Sequence, residues 1–341
     1  MSGGVDSSVS AALLKEAGHD VTGVFIKTWQ PDWLPCDWRR EREDAMRVAA
    51  HLGIDFKTLD LTLEYKHDVA DYMIAEYAAG RTPNPDVMCN KHVKFGGFYE
   101  WALKQGVDMI VTGHYAKTER AKLFAGKDGN KDQSYFLWTL TPDILERTLF
   151  PIGEFEKSHV RELARNYALP VAEKKDSQGV CFLGKIDMRE FLGHYIDTQA
   201  GDVLDVDGAV IGTHDGALFY TLGQRTGFSI TVQSPDQEPM FVVGKDIHAN
   251  TITVVPESSY RSNALPAEFE KQTVSLKQTN WITTPVVDKK YMARFRYRQQ
   301  LRPCTVSGDT VTFDEPQKSI ASGQSVVLYD EEECIGGGIV T

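Results

Sequence analysis

The sequence has few of the features that mark membrane proteins and secreted proteins. In its 341 residues no apolar run approaches the ~18 residues that a membrane span needs, and no secretory signal pattern occurs. The five cysteines are odd in number and scattered, so they do not form a disulfide framework and favour a reducing compartment. We therefore expect a soluble cytoplasmic protein without membrane contact.

Positive charge is also scarce. The chain has 37 lysines and arginines against 48 aspartates and glutamates, a net charge of −11, which argues against general, non-specific binding to nucleic acid. A local basic patch is compatible with that total, so charge has to be considered segment by segment. The hydrophobic fraction of 42% and the charged fraction of 25% are typical of a globular protein, and the length allows two or three domains.

Two kinds of pattern divide the chain. Up to about residue 199, apolar strand patterns alternate with helical patterns, which indicates βαβ units and a parallel sheet. The strand patterns cover 21–26, 54–59 and 107–112, and the helical ones cover 41–52 and 63–79. From about residue 200, short β-branched runs between turn residues predict a small β-rich region and then a β-barrel or sandwich. The predicted units are 1–199, 200–262 and 263–341.

The first residues of the chain form the most informative motif. Gly3 and Gly4 allow a sharp turn and a close approach to a ligand, and a helical pattern follows them. Such a turn can bind an anion, because free backbone N–H groups and the helix dipole converge at a helix N-terminus. A Walker-type loop would need a lysine here, whereas the pattern S-G-G-x-D-S resembles the pyrophosphate loop of the ATP pyrophosphatases. An ordinary capped helix is the alternative.

The position of this motif is unusual. In open α/β sheets such a loop follows a buried strand, and the ligand lies at the carboxyl end of that strand. No apolar run precedes Ser2. We therefore expect the sheet of this chain to lack its central strand, either because the true start lies upstream or because the chain is truncated.

A proline-rich segment at 81–90, R-T-P-N-P-D-V-M-C-N, carries the first candidate for covalent chemistry. Two prolines flank an asparagine and fix a rigid, extended turn. Cys89 stands just ahead of a predicted helix, whose N-terminus would lower the pKa of the thiol. Lys91 and Lys94 add positive charge nearby, and with Asp86 close in sequence to handle a proton, Cys89 is a candidate nucleophile. The alternative is a small buried cysteine at a loop–helix junction.

A second candidate, Cys181, lies in the polar loop K-K-D-S-Q-G-V-C-F at 174–182. It is far along the chain from Cys89, so no local metal-knuckle spacing links the two. Two separate loop cysteines fit a redox or sulfur-carrying pair better than a zinc site. Cys304 and Cys334 lie in β-like runs and are predicted to be packing residues, whereas Cys36 has no assigned role.

Two cationic groups stand out against the acidic background. Lys157, Arg161 and Arg165 recur at four-residue spacing and share one face of a predicted helix. On a strand, the alternation R-F-R-Y-R at 294–298 would place three arginines on one side and two aromatic rings on the other. Such a compact basic edge makes contact with a phosphate backbone credible. A solvated charged face is the alternative.

Two shorter segments add candidates. Gly113 and His114 follow the strand predicted at 107–112, where α/β folds bind nucleotides. We assign the backbone of Gly113 to a nucleotide and leave His114 open. The polar segment K-D-Q-S at 131–134 leads into an apolar run and could be a plain turn.

Taken together, these motifs closely resemble those of the tRNA-specific 2-thiouridylases, a family of ATP pyrophosphatases. The matching segments are S-G-G-V-D-S-S at 2–8, T-P-N-P-D-V-M-C-N at 82–90, G-H-Y at 113–115, K-D-Q-S at 131–134, D-S-Q-G-V-C-F at 176–182 and R-Y-R-Q at 296–299. The resemblance implies a cytoplasmic enzyme that replaces the 2-oxygen of the wobble uridine in tRNA with sulfur. It also implies an α/β, parallel-sheet, adenine-nucleotide-hydrolase-like N-terminal domain, a small β-rich central domain and a tRNA-contacting C-terminal β-barrel.

The resemblance further implies roles for individual residues. Cys181 would carry a persulfide received from a sulfur-relay protein or a cysteine desulfurase, and Cys89 would be the second catalytic cysteine. The residues implied to bind ATP are Ser2, Gly3, Gly4, Val5, Asp6, Ser7, Ile26 and Gly113, of which Ile26 replaces a methionine usual in the family. Those implied at the target base are Asn84, Pro85 and Asp86, and those implied to contact tRNA are Lys131, Asp132, Gln133, Arg296 and Tyr297.

The chemistry of that reaction agrees with the residues. The C2 carbonyl of uracil has no leaving group, so adenylation by ATP, with Mg²⁺ held largely by phosphates and water, would activate its oxygen. A persulfide on Cys181 would supply sulfur and Cys89 would release it, leaving a disulfide that a reductant must reopen. Two rival functions stay open. An amide-forming adenylating enzyme would need neither cysteine motif, and a non-catalytic nucleotide- or RNA-binding protein would need no thiol.

Overall fold

The computed structural model describes residues 1–34, 38–176, 179–184, 186–231, 238–262 and 265–341. Cys36 therefore lies outside the described residues, as do Ser177 and Gln178 of the second cysteine motif and Asn263 at the last predicted boundary. Within those ranges, no helix is both long enough and apolar enough to cross a membrane.

Strands occur in both halves of the chain. In chain order they are β1 (Thr22–Lys27), β2 (Asp55–Asp60), β3 (Ile110–Val111), β4 (Ala116–Glu119), β5 (Lys122–Ala125), β6 (Thr148–Leu149), β7 (Gly201–Leu204), β8 (Val210–His214), β9 (Phe228–Ile230), β10 (Met240–Asp246), β11 (Thr251–Pro256), β12 (Glu270–Trp281), β13 (Tyr291–Arg294), β14 (Arg302–Ser307), β15 (Thr310–Lys318), β16 (Ser325–Asp330) and β17 (Glu333–Val340).

Helices are concentrated in the N-terminal part. They are α1 (Val5–Glu16), α2 (Trp38–Leu52), α3 (Thr62–Tyr65), α4 (Tyr72–Ala78), α5 (Pro85–Met88), α6 (Phe98–Lys104), α7 (Pro142–Glu146), α8 (Lys157–Asn166), α9 (Met188–Gly193) and α10 (Glu257–Arg261). Wider π-helical segments join α3 to α4 over Lys66–Asp71 and α5 to α6 over Cys89–Gly97.

Parallel strand pairs lie in the N-terminal part, as the sequence predicts. β1 pairs with β2, with Thr22 opposite Asp55, and β3 pairs with β6. The α-amino group of Met1 donates a hydrogen bond to the carbonyl of Val24 in β1. The strand predicted over 107–112 is limited to the two residues of β3, since the N–H of Val107 still bonds to Ala102 at the end of α6.

The helix predicted to follow Asn90 begins earlier, at Pro85. The side chain of Asn84 accepts a hydrogen bond from the backbone N–H of Val87 at 3.3 Å and caps the helix. Proline suits the first helical position because its missing N–H would have no partner there. Cys89 is therefore inside a helix and not ahead of one, which corrects the sequence-based placement.

The central part is a five-stranded sheet in the order β10-β11-β7-β8-β9. Its neighbouring strands are antiparallel except β11 and β7, which pair in parallel. Val203, Tyr220 and Ile252 are among the residues of its buried core. This sheet matches the small β-rich region predicted from residue 200 onward.

The C-terminal part closes into a barrel. Six strands follow each other in the order β12-β15-β14-β13-β16-β17, and β17 pairs back to β12. The hairpin of β4 and β5, from the N-terminal part, extends this sheet because β5 pairs with β17, with Cys334 opposite Leu123. The barrel and the α/β part are thus joined by backbone hydrogen bonds as well as by side chains.

A buried ion pair lies at the same junction. Arg294, the last residue of β13, pairs with the carboxylate of Asp132, and their side chains are 8% and 6% exposed. Arg294 also donates to the hydroxyl of Tyr329, and the N–H of Ser134 donates to Asp132 at 3.1 Å. These contacts hold the segment around Asp132 against the barrel wall.

Candidate active site

The loop at the start of the chain turns sharply into α1. Gly3 has a φ of +72°, and a Cβ there would lie 2.3 Å from the carbonyl oxygen of Glu41, so only glycine fits. Gly4 is the N-cap residue, Val5 is the first helical residue, and Asp6 lies in the first turn. Ser2 donates its N–H to Ser7 Oγ at 3.2 Å, which folds the loop over the helix N-terminus.

Gly113 brings the end of β3 against this loop. A Cβ on Gly113 would lie 2.6 Å from the backbone nitrogen of Ser7, so the two backbones are in close contact. The next tyrosine, Tyr115, donates its hydroxyl to Asp6 at 2.8 Å. Ile26 lies in β1 opposite Leu59, where it is half-buried. The structure therefore brings Gly113 to the loop and places Ile26 on the neighbouring strand pair.

Cations surround the loop. Lys157 Nζ lies 2.7 Å from Asp6 Oδ1 and 2.8 Å from Asp176 Oδ1. Lys174 donates to the carbonyl of Gly3 at 3.0 Å. Burial would raise the pKa of Asp176, but hydrogen bonds from Lys131 and Lys157 outweigh it and lower the pKa to about 2. The helix N-terminus and these ammonium groups together suit a polyphosphate.

The predicted basic face of α8 is paired with acids. Lys157 and Arg161 both contact Asp176, and Arg165 contacts Glu173 at 2.8 Å. The charges of Lys157 and Arg161 are therefore directed at the loop region. Because the acids lie on other segments, the four-residue spacing could not reveal that pairing.

The two candidate cysteines are side by side. The Sγ atoms of Cys89 and Cys181 are 3.4 Å apart, with Cys89 donating. Burial, followed by the hydrogen bond to Cys181, raises the pKa of Cys89 well above its usual value. The low pKa predicted for Cys89 is therefore wrong, since this thiol is enclosed in the core and is not at an exposed helix end.

Cys181 is the sulfur that carries negative charge more easily. The hydrogen bond from Cys89 lowers the pKa of Cys181, burial opposes it, and the charge of Lys94 adds to the lowering. The carboxylate of Asp86 accepts the backbone N–H of Cys181 at 2.9 Å, and Tyr65 donates its hydroxyl to the Cys181 carbonyl at 2.6 Å. The pKa of Asp86 is raised overall by burial. The hydrogen bond from that N–H and the charge of Lys94 oppose the rise.

Two further residues belong to this site, Lys94, which the sequence indicated only as positive charge near Cys89, and His114, which was left open. Lys94 Nζ lies 3.4 Å from His114 Nε2, and the other ring nitrogen of His114 lies 2.7 Å from Thr112 Oγ1. Burial, and then the charge of Lys94, lowers the pKa of His114 well below its usual value. The G-H-Y motif was a signal for His114. The sequence named Lys91 and Lys94 together and could not separate them, because the direction of Lys94 depends on the π-helical segment.

A cavity of about 150 Å³ lies between α5 and the barrel. It is lined by Thr82, Pro83, Asn84, Tyr135, Phe295, Arg296, Tyr297 and Gln324. It thus brings together three residues that the resemblance implied for tRNA contact, namely Asn84, Arg296 and Tyr297. Arg296 donates to the carbonyl of Ser319 at 3.1 Å, and its Nε has no hydrogen-bond partner among the described residues.

The predicted basic edge at 294–298 is wrong as a continuous strand face. β13 ends at Arg294, which is buried against Asp132, and Arg298 has a φ of +62° and is exposed. The three arginines therefore point to three different environments. The alternation of arginines and aromatic residues predicted one strand face. Arg294 instead turns inward to the buried carboxylate of Asp132, and the strand ends there.

The implied tRNA contacts in the segment at 131–133 also differ in their placement. Lys131 pairs with Asp176 at 2.7 Å, and Gln133 Oε1 accepts the N–H of Tyr115 at 3.0 Å. Asp132 is buried, and its carboxylate holds Arg294 and the backbone of Ser134. We therefore assign Asp132 to structure and not to tRNA contact, because one oxygen binds Arg294 and the other accepts the N–H groups of Gly126 and Ser134.

Cys304 and Cys334 are both fully buried, in strands of the barrel. Over the ranges that the structure covers, no group of three or more histidines, cysteines, aspartates or glutamates is arranged to hold a metal ion. A divalent cation that arrives with ATP is held largely by phosphates and water, and such a cation needs no preformed cluster of this kind.

Three family models match the chain in order. The one described as "tRNA methyl transferase HUP domain" matches residues 1–185, the one described as "tRNA methyl transferase PRC-barrel domain" matches 189–256, and the one described as "Aminomethyltransferase beta-barrel domain" matches 271–340. The predicted order of an α/β parallel-sheet domain, a small β-rich domain and a C-terminal β-barrel is thereby confirmed.

Curated relatives match over the whole chain. The tRNA-specific 2-thiouridylase MnmA of Streptococcus sanguinis is 43% identical over 352 residues, which cover 100% of this chain and 93% of that protein. The proteins of the same name from Francisella tularensis subsp. holarctica and Francisella philomiragia are 43% and 42% identical over 355 residues, covering 100% of this chain and 97% of each relative. Motifs, fold and full-length similarity agree, and the chain belongs to the family of tRNA-specific 2-thiouridylases.

Proposed function

We propose that this protein is an ATP-dependent tRNA 2-thiouridylase of the cytoplasm. It adenylates the C2 oxygen of the wobble uridine and replaces that oxygen with sulfur, giving 2-thiouridine, AMP and pyrophosphate. The observation that carries the proposal is the pair of sulfur atoms of Cys89 and Cys181, 3.4 Å apart. The pair is connected to the phosphate loop through His114, which contacts Lys94, and through Gly113, which packs on Ser7.

ATP binding is assigned to the loop and its surroundings. The backbone N–H groups at the start of α1 face the phosphates, and Lys157 and Lys174 supply charge. Gly113 and Ile26 lie near the adenosine. Bound Mg²⁺ would offset phosphate charge, while the residues of this chain orient the triphosphate against the uridine oxygen. The residues assigned to ATP are Ser2, Gly3, Gly4, Val5, Asp6, Ser7, Ile26 and Gly113.

Sulfur transfer is assigned to the two thiols. A sulfur-relay protein or a cysteine desulfurase donates sulfur to Cys181, whose persulfide attacks C2 of the adenylated uridine, and AMP leaves with the oxygen. Cys89 then attacks Cys181 Sγ, the bond to the transferred sulfur breaks, and 2-thiouridine is released. The two cysteines are left as a disulfide, which a cellular thiol reductant returns to two thiols. Asp86, whose carboxylate binds the backbone N–H of Cys181 and acts electrostatically on Cys89, is assigned to take up or return the proton of Cys89.

We assign the target uridine to the cavity between the segment that precedes α5 and the barrel. Asn84 lines the cavity, Asp86 binds the backbone of Cys181, and Pro85 stands between them in the chain. Arg296 and Tyr297 line the same cavity from the barrel. Lys131 and Gln133 are assigned to the rim of the tRNA site. The domain boundaries 1–199, 200–262 and 263–341 belong to the same proposal, with the last unit contacting tRNA.

The direct test is reconstitution. The purified protein is incubated with tRNA, ATP, Mg²⁺ and a persulfide donor, and the nucleosides are analysed by mass spectrometry together with AMP release. We expect 2-thiouridine and AMP in equal amounts, and loss of 2-thiouridine from cells that lack the protein. AMP release without 2-thiouridine would favour a different adenylating enzyme, and neither product would favour a binding protein.

Asp6→Ala is expected to stop thiolation while tRNA binding stays nearly intact. Asp6 anchors Lys157 and Tyr115 at the phosphate loop, so its loss misplaces the groups around the triphosphate. We expect a fall of roughly 10²-fold or more in the rate of AMP release, measured beside tRNA affinity by filter binding. The matched control is the exposed Asp20→Ala. Full activity of Asp6→Ala would contradict the assignment of ATP binding to this loop.

Arg296→Ala is expected to weaken tRNA binding and to flatten its dependence on salt. A phosphate contact releases counterions, so its loss reduces the slope of log affinity against log salt by about one. Arg298→Ala, at an exposed position, should have the same kind of effect. Filter binding at several salt concentrations measures both, with the exposed Arg120→Ala as control. Unchanged slopes would mean that these arginines are structural or solvated.

A further inference from the structure

Lys94 is a half-buried cation at the sulfur pair, and beyond its positive charge it has no assigned role. Its ammonium lies 3.4 Å from His114 Nε2 and 5.9 Å from the centre of the ring of Phe182, the residue that follows Cys181. Cys89, on the same helical segment as Lys94, contacts the sulfur of Cys181 at 3.4 Å. An ammonium has three donors and no acceptor. In this position it can satisfy them only with groups that carry lone pairs or negative charge.

The backbone explains how Lys94 comes to face the cysteines. Cys89 and Lys94 are five residues apart, and in an α-helix of 3.6 residues per turn they would point about 140° apart. The segment Cys89–Gly97 is π-helical, with hydrogen bonds between residues five apart, so these positions are brought closer to one face. The local widening of the helix therefore places a cation next to the sulfur pair.

His114 fixes the direction of that cation. Because an ammonium can only donate, His114 Nε2 must accept from Lys94, and the proton of the ring is then on Nδ1, which donates to Thr112 Oγ1 at 2.7 Å. Burial, and then the charge of Lys94, lowers the pKa of His114 and keeps the ring neutral. His114 thus acts as a neutral support and adds no competing charge.

Besides the neutral His114, the groups that act on Lys94 electrostatically are acidic. They are Cys181, on the loop, and Cys89 and Asp86, on the helix that carries Lys94. Burial alone would lower the pKa of Lys94, but the attraction of these three groups outweighs burial and raises it. Lys94 therefore keeps its positive charge inside the site. This charge contributes to lowering the pKa of the Cys181 thiol.

We propose that Lys94 is a positioning residue that holds the sulfur of Cys181 as a thiolate beside Cys89, ready to accept sulfur. The thiolate attacks the outer sulfur of a donor persulfide, a new S–S bond forms on Cys181, and the donor's own thiolate leaves, with no net oxidation. The place of this step in turnover rests on the proposed function. The charge state of Cys181 does not, because it can be measured without ATP or tRNA.

The experiment compares Lys94→Met with Lys94→Arg and with the exposed Lys91→Met from the same helical segment. Alkylation of Cys181 by iodoacetamide is followed against pH by mass spectrometry of its peptide, in the full chain without ligands. We expect alkylation at pH 7 to fall about tenfold in Lys94→Met, which corresponds to a shift of one unit in the pH midpoint. Lys94→Arg should keep most of the reactivity, and Lys91→Met should equal the wild type.

The reactivity of Cys89 in the same samples shows whether the site is intact, since this thiol is buried. Should Lys94→Met make Cys89 reactive, the neutral variant Lys94→Gln takes its place. A wild-type pH midpoint in a neutral variant with a protected Cys89 would overturn the inference. The expected shift in a protein that makes no 2-thiouridine would refute the proposed function alone. An unshifted midpoint in an active enzyme would refute the role of Lys94 alone.

Discussion

Replacing Cys89 with serine is expected to leave Cys181 able to take up sulfur and to stop its release to the uridine. The two Sγ atoms are 3.4 Å apart, and a hydroxyl in place of Cys89 Sγ cannot form the disulfide that frees the transferred sulfur. The expected result is a persulfide on Cys181 and no multiple turnover. It is measured by single-turnover thiolation with labelled sulfur, followed by trapping of the protein-bound persulfide.

Cys181→Ser provides the complementary result. This variant should take up no labelled sulfur, while adenylation, measured as AMP formation on tRNA, should still occur. Cys304→Ser and Cys334→Ser are the matched controls and should thiolate tRNA, because both cysteines are buried packing residues of barrel strands. Cys36→Ser is expected to do the same. Normal turnover by Cys89→Ser would rule out the two-thiol mechanism.

Asp132→Asn is expected to cause a large loss of stability. It leaves the guanidinium of Arg294 buried at the junction between the barrel and the α/β part without its carboxylate. Removing one partner of a buried pair costs about 3–5 kcal/mol, because the remaining charge is uncompensated. Urea unfolding followed by tryptophan fluorescence measures the loss, since Trp138 and Trp281 lie near this junction.

The exposed pair of Arg165 and Glu173 is the matched control for this experiment. Its ions are 2.8 Å apart, but their side chains are 54% and 77% exposed, so Arg165→Ala should leave the urea midpoint unchanged. The double variant Asp132→Asn with Arg294→Met should regain part of the loss, because it no longer buries an unpaired charge. If Asp132→Asn unfolds like the wild type, the carboxylate does not hold the junction, and a direct role in tRNA contact would have to be reconsidered.

The local patterns of the sequence were sufficient for the order of the domains and for the identity of the motifs. Glycine spacing predicted the turn at Gly3 before α1, and alternating apolar runs predicted the parallel pairs of the N-terminal part. The turn and the strand patterns both depend on residues that are neighbours along the chain, so they can be predicted without knowledge of the tertiary structure. Boundaries were less accurate, and Cys89 was placed ahead of a helix that begins at Pro85.

The environment of each side chain was decided by tertiary structure. The sequence by itself determined that two cysteines, a phosphate loop and several cations exist. The reaction predicted from the motifs required Cys89 and Cys181 to approach each other during turnover, but not that their sulfur atoms already lie 3.4 Å apart. The sequence also did not determine that Arg294 turns inward to Asp132, or that Lys94 lies beside the loop of Cys181. Charge, pKa and accessibility depend on groups that are distant in the chain and close in space. Only the packing of the loop, the π-helical segment and the barrel around one another sets them.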